Sequence, residues 1–137
     1  MKSILQNILF FLLLFSWFGC KKTNETTFEY IGTHNNQQAS MSVVFFDHAF
    51  NGTYIIEYTD KKKDSGTING EIKDNIWLGK YNYVSRNGDR KIKPIAFVLK
   101  NNRIIRGEGS VYEYFNIPHY KLENVHFHDS LGVLHKK

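Results

Sequence analysis

From residue 28 onward, apolar and polar positions alternate in short bursts, and no long segment shows apolar residues at helical spacing. Brief β-branched and aromatic runs divided by turn residues are the mark of strands. The pattern predicts strands at Ser42–Phe46, Thr53–Tyr58, Gly66–Ile72, Ile76–Ser85, Pro94–Lys100, Ile104–Tyr114 and Tyr120–Phe127, with a further short one at Phe28–Gly32. Asp74-Asn75 and Asn101-Asn102 suit tight hairpins, and Asn87-Gly88 is the strongest two-residue turn signal in the chain. Asp64-Ser65-Gly66 is expected to close a looser loop, and Asn51-Gly52 competes with the second strand as a turn. Pro94 donates no hydrogen bond to a ladder, so its strand should begin there or lie on an edge.

An internal repeat runs through these strands. Phe50-Asn51-Gly52, Trp77-Leu78-Gly79 and Ile105-Arg106-Gly107 each place a large apolar residue two positions before a glycine. The interval matches one hairpin, up and back, and glycine at a matched point of alternate strands lets a small barrel bend sharply. Strand alternation puts Trp77, Gly79, Tyr81 and Tyr83 on one face, and Gly52, Tyr54, Ile56 and Tyr58 on another. The expected fold is therefore all-β: a single antiparallel meander or small up-and-down barrel of about seven or eight strands. In architecture, though not in any sequence signature, this resembles the lipocalin-like small-barrel lipoproteins of Bacteroidetes-type Gram-negative bacteria.

The first residues are of a different kind. Lys2 is followed by Ile8–Phe18, apolar but for Ser16, and then by Gly19, Cys20 and an abrupt change to Lys21-Lys22. Eleven residues at about 1.5 Å each fall well short of a bilayer core of about 30 Å, so this is the layout of a secretory signal rather than a membrane span. Trp17-Phe18-Gly19-Cys20 resembles the lipobox of bacterial lipoproteins, with Gly19 as the small residue and Cys20 as the acceptor. The two aromatics before Gly19 depart from the usual aliphatic and small pair. The resemblance implies cleavage before Cys20 by a lipoprotein signal peptidase, and acylation of that cysteine, palmitate included. Cys20 is the chain's one cysteine, so no intrachain disulfide can form. The expected organisation is a signal peptide at 1–19, a lipidated cysteine and polar tether at 20–27, and a β domain at 28–137. Lys21 is not the aspartate that retains enteric lipoproteins in the inner membrane, so the resemblance points to the outer membrane.

Charge changes this picture little. The 137 residues carry 18 Lys and Arg against 13 Asp and Glu, a mild excess that, in an exported protein, argues against nucleic-acid binding. Its distribution says more. In an up-and-down meander alternate turns share one end, so Lys61, Lys62 and Lys63 should meet Arg86, Arg90 and Lys91 there, with Lys73 and Asn101-Asn102 at the other. Such a basic end suits an envelope protein, an anionic lipid or a glycan. Among the histidines, His126 and His128 would share a strand face at a spacing able to chelate a divalent metal. The many aromatics suit either core packing or a ligand-lined interior. No nucleophile elbow, zinc-protease helix motif, P-loop or dinucleotide-binding glycine pattern is present.

The sequence thus predicts a non-enzymatic envelope module, without a cofactor, that is anchored through Cys20 and binds a partner through one end of a barrel. Two alternatives stand beside it: a small-molecule carrier with a lipocalin-like cavity, and a histidine-based metal-binding lipoprotein.

Overall fold

The computed structural model describes residues 25–137. Eleven strands follow one another: β1 (Thr27–His34), β2 (Gln37–Phe46), β3 (Ala49–Glu57), β4 (Lys63–Lys73), β5 (Ile76–Val84), β6 (Arg90–Lys100), β7 (Arg103–Glu108), β8 (Val111–Tyr114), β9 (Ile117–Tyr120), β10 (His126–Phe127) and β11 (Val133–Lys136). β1 to β7 form an antiparallel meander, each pairing with the next. β11 then inserts between β7 and β1, pairing Leu134 with Ile104 and Tyr30 with Lys136, and the sheet closes into an eight-stranded antiparallel barrel.

The inward face follows the alternation along each strand. Phe50, Tyr54 and Ile56 of β3, Ile68 of β4, Trp77 and Tyr81 of β5, Phe97 of β6, Ile104 of β7 and Leu134 of β11 are all buried. Trp77 organises one half of the core. Its ring lies 5.0 Å from Phe45 and 5.4 Å from Phe50, with Tyr30 and Phe97 edge-on at 6.4 Å. The inward glycines sit where strands press together: Gly70 and Gly79 are paired across β4 and β5. A Cβ on Gly79 would stand 2.0 Å from the Asn69 carbonyl oxygen, so only glycine permits this coil of the sheet.

Most hairpins close through two left-handed residues, as expected for Asp74-Asn75 and Asn101-Asn102, and Asn35-Asn36 does the same between β1 and β2. Other expectations are corrected. Asn51-Gly52 and Asp64-Ser65-Gly66 lie inside β3 and β4, because their neighbours' alternation continues through them. Asn87-Gly88 belongs to a five-residue loop, 85–89, closed by the Ser85 and Gly88 amides, rather than to a two-residue turn. Pro94 does not begin its strand. It meets the other half of that expectation, lying on a local edge of β6 beyond Ala96–Gly107, the last pair with β7.

The predicted strand Ile104–Tyr114 breaks after Glu108, and Gly109 lies against Asn124. Tyr120–Phe127 is not one strand either. It holds the end of β9, a 3-10 turn at Leu122–Asn124 and the two-residue β10. β8 and β9 form a separate hairpin outside the barrel. In the repeat, Gly107 faces outward, under Phe127 and Val125, while Gly52 and Gly79 face inward. The leader, Cys20 and most of the tether fall outside the described residues, and β1 begins one residue before position 28.

Candidate functional site

The barrel's two ends differ. At one lie the turns Asp47-His48, Asp74-Asn75 and Asn101-Asn102, together with the start of β1, where Thr27 pairs with Val44. The chain also finishes there: the Lys136 amide donates to the Asn102 carbonyl and the Lys137 amide to that of Glu29. At the opposite end lie Asn35-Asn36, the β3–β4 loop, the β5–β6 loop and the departure of the chain after β7.

The meander brings Lys61, Lys62 and Lys63 to the same end as Arg86, Arg90 and Lys91, and all six are exposed. Their charges are not equally free. Glu57 takes Lys63 at 3.0 Å and Lys61 at 3.3 Å, and these contacts hold its carboxyl below the usual range. Beneath the loops, buried Asp64 accepts the Tyr58 hydroxyl at 2.8 Å and the Arg86 amide at 2.7 Å. It thereby ties the two basic loops together from below. The Arg86 guanidinium lies 4.6 Å over the Tyr58 ring. Burial, then the bond to Asp64, pushes the Tyr58 phenol up to about 12.

A second polar group sits deeper, and the sequence reading missed it. Lys93 pairs across from Tyr81 and so faces inward, in phase with Ile95 and Phe97. Arg106 pairs with Phe97 and faces inward too. The Lys93 ammonium lies 5.0 Å over Tyr83 and 5.4 Å over Tyr81, whose rings stack at 4.5 Å. Burial lowers its pKa, and the nearby Arg106 charge lowers it further. The signal was available: a lysine and an arginine each fall on the apolar phase of their strands.

Below them, Tyr81 donates its hydroxyl to the Tyr54 carbonyl at 2.8 Å, and burial raises its pKa strongly. The hollows among the inward side chains are small. One of about 100 Å³ lies beside Lys93 and Arg106, and one of about 30 Å³ lies beside Gly32 and Leu134. A larger groove, about 470 Å³, runs outside the wall between β4–β5 and the β8–β9 hairpin.

His126 and His128 flank Phe127 and are both exposed. His126 pairs in register with Glu108. His128 caps the 3-10 turn Asp129–Leu131, its Nδ1 accepting the Ser130 amide at 3.1 Å and lying 2.7 Å from the Ser130 hydroxyl. Among the described residues no group of three or more His, Cys, Asp or Glu is placed to hold a metal ion. His119 instead stacks on Tyr112 at 5.5 Å.

No protein-family model, curated protein or solved structure matches this chain.

Proposed function

We propose that this protein is a non-enzymatic binding module of the cell envelope, held on the outer membrane by acylated Cys20 and meeting an acidic partner through its basic end. The observation that carries this reading is the placing of that end. The basic loops lie at the pole of the barrel opposite Thr27, where the tether enters. A lipid-held barrel can therefore present them away from its own bilayer, toward an anionic protein or glycan.

The tight packing of the interior supports surface recognition over a carrier role. Hollows of about 30 and 100 Å³ are well below the roughly 300–1,000 Å³ of pockets that bury a drug-sized ligand, the size a lipocalin-like carrier would hold. Because Glu57 neutralises part of the lysine loop, Lys62, Arg86, Arg90 and Lys91 carry most of the attraction.

Two measurements test the two halves separately. Cys20→Ala should leave the protein unprocessed or release it from membranes, and metabolic palmitate labelling should vanish. Labelling that persists, or a wild-type chain that takes none, removes the anchor. For the basic end, the full chain should capture an envelope fraction rich in acidic glycan or protein, and the capture should weaken steeply with salt. Replacing Lys62, Arg86, Arg90 and Lys91 by serine should abolish it. Capture that is indifferent both to salt and to these changes overturns the reading.

A further inference from the structure

β6 and β7 part company above the pair Ala96–Gly107, which leaves a gap in the barrel wall. The base of the β8–β9 hairpin covers that gap from outside, with Val111 and Tyr120 paired across it. Behind this plug lies the hollow of about 100 Å³, and its lining is divided by chemistry. Four of its lining residues carry hydrogen-bond donors: Lys93, Arg106, Tyr54 and Tyr120. Ile95, Phe97 and Val111 supply apolar wall.

The donors are close enough to feel one another. The positive charge of Arg106 draws down the pKa of Lys93 and opposes the upward push of burial on Tyr54 and Tyr120. The carboxylates that answer this positive charge stand outside the hollow's lining. Arg106 has Glu108 at 3.6 Å, with its carboxylate half in solvent. Among the described residues no carboxylate lies within ion-pair distance of Lys93, and the charges of Asp64 and Glu108 reach it only from further off. Two cationic side chains lining one partly desolvated hollow are costly unless an anion joins them.

We propose that this hollow is a binding site for a short-chain monocarboxylate, with the carboxylate between Lys93 and Arg106 and a tail of two or three carbons against Ile95, Phe97 and Val111. The volume admits a ligand of that size and excludes a long acyl chain. Arg106 supplies the planar fork that matches a carboxylate, Lys93 a point charge, and the tyrosine hydroxyls single charge-assisted hydrogen bonds. None of the six cations of the basic end lines this hollow, so the site stands or falls independently of the acidic-partner reading.

The test is calorimetric titration of the full chain, purified in neutral detergent, with sodium butyrate, sodium acetate and inorganic phosphate in turn. Saturable one-to-one binding of butyrate at or below about 1 mM, tighter than acetate, is expected. Lys93→Met keeps the stem over the tyrosine rings and should weaken butyrate binding by about tenfold or more, with the thermal midpoint of the ligand-free protein little changed. Should that variant fail to fold, Tyr120→Phe removes one hydroxyl from the outer plug and should weaken binding several-fold. No saturable butyrate binding up to about 20 mM overturns the proposal. So does undiminished binding in a folded Lys93→Met or Tyr120→Phe variant, and phosphate binding without butyrate binding overturns the carboxylate assignment.

Discussion

At the scale of single residues, the barrel depends on side chains too large to omit and on glycines too small to replace. Trp77 and Gly79 show both on one strand, two positions apart and facing the same way. The tryptophan fills the axis, while the glycine lets β4 and β5 approach until their backbones touch at Gly70–Gly79. Gly79→Ala forces a methyl to within 2.0 Å of the Asn69 carbonyl oxygen, which is backbone and cannot swing aside. The substitution is expected to cost about 2–3 kcal/mol, and thermal unfolding should show a midpoint lower by roughly 10 °C. This much was legible in the sequence, because inward and outward positions alternate whatever the partner strand. Lys93 and Arg106 were overlooked for the converse reason: a cation is ordinarily assigned to solvent, although strand alternation puts both on the inward phase of β6 and β7.

Among the elements, turn chemistry divided what could be read from what could not. Asp74-Asn75 and Asn101-Asn102 are residues that tolerate left-handed backbone, and the structure uses them so, with φ of 52° and 64° and of 50° and 60°. The β8–β9 turn puts Phe115 at φ 49°, where the other tight hairpins have Asn or Asp. An exposed aromatic gives no signal of a tight turn, so the predicted gap between Tyr114 and Tyr120 contains this turn but also takes in most of β9. Its ring, 80% exposed, touches Tyr114 at 4.5 Å, which is too little packing to offset the strained backbone. Phe115→Asn should therefore stabilise the protein by about 0.5–1 kcal/mol, seen as a higher urea midpoint with an unchanged slope. A lower midpoint would mean that the Tyr114–Phe115 contact outweighs the strain. β11 escaped notice for a different reason. Val133 and Leu134 are two apolar residues before a polar end, too short a pattern to announce a strand that lies between β7 and β1.

The molecule as a whole stores much of its interior in tyrosine. Burial raises the pKa of Tyr30, Tyr54, Tyr58, Tyr81, Tyr83 and Tyr120, with Tyr58 reaching about 12. In the unfolded chain these phenols ionise near ~10. Between those values the native state holds protons that the unfolded state has released. The stability this contributes is intact below about pH 10 and is lost as pH rises toward about 12. Tyrosinate absorbance and loss of near-ultraviolet dichroism should accordingly rise together across that window. Full phenol ionisation by about pH 10.5 with the dichroism intact would contradict it.

The sequence alone determined the fold class, the common end of the two basic loops and the faces of the long strands. All three follow from local rules, namely strand alternation and the parity of a meander. Closure and the plugged gap were decided by tertiary structure. Whether β11 completes a ring depends on contacts between positions far apart, Tyr30 with Lys136 and Ile104 with Leu134. The 109–132 excursion folds against the outer wall because Gly107 and Gly109 leave room there for Phe127, Val125 and Asn124. Such packing rewards a shape that exists only once the barrel has closed, and no periodicity along the chain encodes it.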